Sequence, residues 1–131
     1  VLLDMCKRFY DATGYKMPFH FGSMKRTIKL LTESHVFLVY GDKPIGMAAA
    51  MVAPAFFNAN VIQAVELFWW VNPDARGVGG ALLEGLEQAV KDKGASHLSM
   101  LCLESMEPQK VGEMYKRRGY SPVEHSYMKE L

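Results

Sequence analysis

The sequence predicts an α/β fold of the α+β kind, a central mixed β-sheet flanked by helices. Three observations predict it. The chain has 131 residues, half of them hydrophobic and 22% charged, which is enough for one domain with its own core and too little for two ordinary ones. The spacing of its apolar residues changes along the chain, from helical to strand-like and back. Between 61 and 93 a strand-like run, a proline, a glycine-rich turn and a helix-like run follow one another without a linker, as in a compact α/β domain.

Each element has its own signature. Over 2–13, Leu2, Leu3, Cys6, Phe9 and Tyr10 fall on one helical face, with Asp4, Lys7 and Arg8 between them and Gly14 as a stop. The connection 15–22 is aromatic for a loop. Ser23 is the expected cap of a second helix over 24–33, whose stripe is Met24, Ile28 and Leu31. The period then changes. Residues 35–40 are rich in β-formers, 41–44 read as a turn, and 45–52 as the hairpin partner, ended by Pro54. After an aromatic connection at 55–60, the run 61–71 carries only Gln63 and Glu66 as polar side chains, which predicts a central strand covered on both faces. A helix over 80–93 has Leu82, Leu83, Leu86 and Val90 inward, acids early, lysines late and Gly94 behind it. Residues 97–103 read as a strand. Pro108 opens a short helix that Gly119 stops, and 120–131 alternates enough for a final strand or hairpin. The predicted order is α-α-β-β-β-α-β-α-β in a single domain, 1–131.

Composition excludes several function classes. Fifteen Lys and Arg against fourteen Asp and Glu leave a net charge of +1, so bulk electrostatic binding to nucleic acid or to an anionic membrane is not expected. No run reaches the roughly 18 apolar residues of a membrane-spanning helix. Two cysteines, Cys6 and Cys102, make neither a disulfide framework nor a Cys-based zinc site, and both read as small core residues of a cytoplasmic, reducing-compartment protein. The histidines at 20, 35, 97 and 125 have no i,i+4 pair, so no metal is expected. The chain begins at Val1 with no signal-peptide pattern, and trimming of a front segment is expected.

The strongest chemical signal is the turn Asn72-Pro-Asp-Ala-Arg76-Gly-Val-Gly-Gly80-Ala81 between strand and helix. Glycines let a backbone approach a ligand and turn its N–H groups toward it. The helix that follows adds unpaired N–H groups and the positive end of its dipole, a cradle suited to a pyrophosphate. A P-loop would need Lys-Ser/Thr after the last glycine, where Ala81-Leu82 stands, and the dinucleotide fingerprint needs a different glycine spacing.

This stretch resembles the acetyl-CoA signature of the GCN5-related N-acetyltransferases, Arg/Gln-x-x-Gly-x-Gly/Ala. One register puts Gly77 and Gly79 in the glycine places and Asp74 in the Arg/Gln place. The other reads Arg76-x-x-Gly79-x-Ala81. Either way the resemblance implies that Arg76, Gly77, Val78, Gly79, Gly80 and Ala81 surround the cofactor's pyrophosphate. A second signature resembles Met114-Tyr115-x-x-x-Gly119-Tyr120, with Pro108 where the family carries an Asn that contacts pantetheine. The resemblance covers nearly the whole chain, without the family's first strand, and is closest to small bacterial and phage-borne members. It implies the acyl-CoA N-acyltransferase fold and direct transfer of an acetyl group from acetyl-CoA to a primary amine, in a monomer or homodimer. It also implies that backbone groups of Trp69, Trp70 and Val71 pair with pantetheine, that Tyr115 protonates the leaving thiolate, and that Phe19, His20, Phe21 and Phe68 border the acceptor.

The residues themselves suggest a base. A lysine-like amine, with a pKa of about 10.4, is protonated at neutral pH and must lose its proton to react. Glu66 lies in an otherwise apolar strand, where desolvation raises a carboxyl pKa toward the useful range. Plain alternation puts Glu66 on one face with Phe68 and Trp70, and Trp69 on the other. Two further readings stand beside this one: a degenerate CoA-binding module without activity, and a transferase of another acyl-CoA.

Overall fold

Residues 1–75 and 77–131 are described by the structure, a computed structural model. The chain divides into two compact units, Val1–Leu101 and Cys102–Leu131. The first holds α1 (Leu2–Thr13), α2 (Phe21–Ser34), β1 (Val36–Tyr40), β2 (Gly46–Ala55), β3 (Asn58–Val71), α3 (Gly79–Asp92) and β4 (His97–Ser99). The second holds α4 (Pro108–Arg117). Among the described residues no helix is long and apolar enough to cross a membrane.

The sheet runs β1-β2-β3-β4, antiparallel from β1 to β3 and parallel between β3 and β4. It is the mixed sheet flanked by helices that the sequence predicts. Alternation along the strands builds two cores. One joins Val36, Ala48, Ala50 and Ala64 to Leu82, Leu86 and Val90 of α3. The other joins Met47, Ala49 and Phe68 to Met5, Cys6 and Leu31 of α1 and α2. The alanines at 48, 49 and 50 are fully buried in the middle strand, where small side chains let both helical layers approach the sheet.

Several boundaries differ from the sequence reading, each for a physical reason. Helix α2 starts at Phe21 because His20, in an extended conformation, is the cap: its Nδ1 accepts from the Ser23 amide at 3.0 Å. Pro54 does not end β2. The β1 partner of β2 stops at Ala50, so beyond it Pro54 sits on an open edge where its missing N–H is not needed, opposite Ile62. Strand β3 starts at Asn58, and Phe56 and Phe57 form the exposed hairpin tip. Strand β4 ends at Ser99, short of the predicted 103. Cys102 is exposed, not part of the core.

The register of β2 against β3 breaks once in the middle of the sheet. Ala50 opposes Glu66 and Ala49 opposes Phe68, leaving Leu67 as the extra residue of a β-bulge. Opposed residues share a face, so Glu66 lies with Ala50 on the α3 side, while Phe68 and Trp70 pack on the α1–α2 side. This corrects the alternation argument: Glu66 shares a face with Trp69, not with Phe68 and Trp70.

In the second unit, Pro108 takes the first helical turn of α4, as expected, behind Glu107 in a left-handed conformation (φ 44°). Gly119 (φ 92°) follows Arg118 at the helix end, where the Tyr120 amide donates to the Tyr115 carbonyl at 3.0 Å. Residues 121–131 are exposed and form no strand. The expected final strand is therefore absent there: alternation alone does not make a strand without a partner ladder, and the second unit holds no strand to supply one.

Candidate active site

Glu66 marks the place where the sheet opens. Strands β3 and β4 pair only over Gln63–His97, Ala64–Leu98 and Val65–Ser99. At the next step the Glu66 side chain replaces the ladder: its Oε1 accepts the Leu101 amide at 2.9 Å. From there to Val71, β3 is paired with β2 alone. Every second residue of such a stretch turns its N–H and C=O toward the open side, which is the pattern an extended amide-bearing ligand needs. Trp69, Trp70 and Val71 lie in this stretch, opposite Ala48, Met47 and Gly46.

Glu66 is buried, 5% exposed. Burial pushes its pKa up from 4.5 to about 7, against a smaller opposite pull from the Leu101 amide. It is therefore close to half ionised at neutral pH. Sequence reasoning found this residue by its polarity in an apolar run. It missed the Leu101 contact and the Leu67 bulge, because the spacing of side chains gives no sign of where a partner strand turns away.

The glycine turn sits beyond the open stretch. The Ala75 amide donates to the Asn72 carbonyl at 2.9 Å, closing the Asn-Pro-Asp-Ala turn. Arg76 lies outside the described residues. Gly77 has φ 82°, a left-handed conformation that side chains rarely adopt. Val78 caps α3, and the first bond of the helix runs from the Leu82 amide to the Val78 carbonyl. Gly79, Gly80 and Ala81 thus form the first turn, whose amides have no acceptor within the helix. Trp69 ties this end to the sheet: its Nε1 donates to the Gly79 carbonyl at 3.1 Å. Trp70 turns the other way, its Nε1 donating to Asn72 Oδ1 at 3.0 Å. The two adjacent tryptophans thus pack on opposite sides of the sheet.

On the α1–α2 face the predicted acceptor residues separate. Phe68 is buried, with its ring 5.8 Å from those of Phe9 and Phe37. Phe19 lies 5.3 Å from Tyr10 and 5.0 Å from Phe21. Phe19 and Phe68 line one apolar cavity; Phe21 is not among its lining residues and is half exposed at the start of α2. His20 is engaged as the helix cap. Tyr115, in the second unit, is buried on α4, its ring 5.4 Å from Tyr120.

The site is thus a sheet that parts at a buried carboxyl, followed by a glycine turn and a helix N-terminus whose amides are free of intrahelical acceptors. The chain belongs to the acetyltransferase (GNAT) family, whose model matches residues 4–120. Solved structures repeat the fold. An acetyltransferase from Trypanosoma brucei superposes with a TM-score of 0.68 at 19% identity, covering 98% of this chain and 94% of that one. A predicted acetyltransferase with acetyl-CoA from Clostridium acetobutylicum gives 0.72 at 14%, covering 98% and 87%. Glucosamine-6-phosphate N-acetyltransferase from Arabidopsis thaliana gives 0.71 at 14%, with the same coverage. None of the curated proteins matches the chain.

Proposed function

We propose that the protein transfers an acetyl group from acetyl-CoA to a primary amine directly, within a ternary complex. The observation that carries this reading is the parting of β3 from β4 at Glu66, whose carboxyl titrates near neutrality. In this reading the open backbone from Leu67 to Val71 pairs with pantetheine, and an N–H near Trp69–Val71 polarises the thioester oxygen. The amides of Gly77, Val78, Gly79, Gly80 and Ala81 receive the pyrophosphate. The left-handed Gly77 and the first turn of α3, which no side chain of its cap residue closes, fit such a group.

Glu66 takes a proton from the acceptor ammonium, directly or through a water. The freed amine attacks the thioester carbon, a C–N bond forms and the C–S bond breaks. Tyr115 gives the leaving thiolate its proton and recovers one from the acetylated nitrogen through solvent, while Glu66 passes its proton to water. A thiol with pKa near 8.5 already leaves well, so the acid contributes less than the base. In this reading Phe19, Phe21 and Phe68 border the acceptor, and no acidic cluster suited to a polyamine stands beside them among the described residues.

The test is thiol release from acetyl-CoA with a panel of primary amines, read beside thermal stability. Acceptor-dependent release supports transfer. A rise in melting temperature with acetyl-CoA, but no release with any amine, identifies a CoA-binding module instead.

A further inference from the structure

The α1–α2 face of the sheet contains a cavity of about 150 Å³. Its floor is Cys6, Met47 and Phe68, which are 2%, 0% and 5% exposed; Tyr15, at 40%, stands at its mouth. Phe9, Phe19 and Met24 complete the apolar walls. The few polar atoms at the lining are already committed. The Tyr10 hydroxyl donates to the Met17 carbonyl. Thr13 Oγ1 donates to the Tyr10 carbonyl at 2.7 Å and accepts the Tyr15 amide at 3.0 Å. The Cys6 thiol points at Met47 Sδ, 3.9 Å away, and burial pushes its pKa to about 11, so it stays neutral. A water held inside a protein needs two to four polar partners, and apart from the Tyr15 hydroxyl at the mouth the side chains of this lining are apolar or already engaged. An apolar cavity of about this size accepts a benzene-sized guest.

Phe68 connects the cavity to the chemistry. Its side chain forms part of the floor, and its backbone belongs to the stretch of β3 that β4 leaves open. Glu66, across the bulge, is on the other face. For an amine attached to a group in the cavity to meet Glu66, it must reach across the edge of β3 that β4 leaves open, two residues along the strand from Phe68.

We propose that this cavity seats the uncharged apolar part of the acceptor, so that the preferred substrates are primary amines carrying an aryl ring or a branched alkyl chain. The proposal rests on the transfer reading above and adds the substrate class to it. Two measurements test it. The first is kcat/KM for 2-phenylethylamine against ethylamine, which share the reacting group and differ in the ring. Burial of the ring is expected to favour 2-phenylethylamine at least about 10-fold. The cavity-filling substitutions Cys6→Met and Met24→Phe are expected to bring the two values together. The second needs no catalysis: toluene is expected to raise the melting temperature of the wild type by roughly 2–4 °C and to lose that effect in whichever filled variant folds. Equal kcat/KM for the two amines, or no toluene shift in the wild type, overturns the proposal while leaving acetyl transfer standing. Absence of transfer to every amine overturns the transfer reading itself, and the acceptor assignment with it.

Discussion

At Glu66 a single carboxyl couples stability, pH and activity. Its pKa is near 7 in the folded chain and near 4.5 when exposed. Below about 4.5 it is protonated in both states. Between the two values the unfolded chain releases its proton and the folded chain does not, so folding stability falls as pH rises; above about 7 the loss is complete. The whole drop is on the order of 3 kcal/mol. Glu66→Gln keeps an acceptor for the Leu101 amide and cannot ionise. Urea denaturation of this variant is expected to lack the wild-type decline between about pH 4.5 and pH 7. The same substitution is expected to lower kcat/KM by about 10²–10⁴-fold and to erase the rise in rate centred near pH 7. A variant that retains the pH-dependent rise would remove Glu66 from the base role.

At the level of elements, the strand-turn-helix join assigns different tasks to two neighbouring glycines. Gly77 needs its left-handed backbone, at φ 82°. Gly79 is already helical, and a methyl added there would meet Trp69 Cζ2 at 3.5 Å, an ordinary contact. Chemical denaturation is therefore expected to show a loss of about 1–2 kcal/mol for Gly77→Ala and little change for Gly79→Ala. Equal losses would mean that packing, not conformation, sets the turn. The existence of most elements was legible in the sequence, because period, caps and breakers are local. Helices α1, α3 and α4 announce themselves through Gly14, Gly94 and Pro108. What escaped was set by partners far along the chain. Pro54 is tolerated because β1 has ended, β4 stops where Glu66 captures Leu101, and 121–131 alternates without a strand to pair with. Among site residues, Glu66 stood out by polarity, whereas the Cys6, Met47 and Phe68 floor looks like any core.

Across the whole molecule, a net charge of +1 is compatible with an anionic cosubstrate because backbone amides serve as the proposed cradle. Neutralisation of phosphates by Lys and Arg produces a steep salt dependence; a cradle of amides does not. Calorimetric titration with acetyl-CoA is expected to show less than about a fourfold change in Kd between roughly 50 and 200 mM salt. A tenfold weakening would assign the binding to cationic side chains instead. The bulge at Leu67 has a consequence for how such a sheet tolerates change. It works as a one-residue phase shifter: on its N-terminal side even-numbered residues face α3, and on its C-terminal side odd-numbered ones do. Losing Leu67 itself would restore plain alternation and leave Glu66, Phe68 and the two tryptophans on their present faces, whereas losing any of 68–70 with the bulge kept would move the residues that follow to the other layer. At the exposed Phe56-Phe57 tip, length is free to vary. Length changes in homologous chains should therefore collect at the hairpin end or at the bulge residue itself, and a gapless comparison across residue 67 with a chain that lacks the bulge would mistake one face of the site for the other.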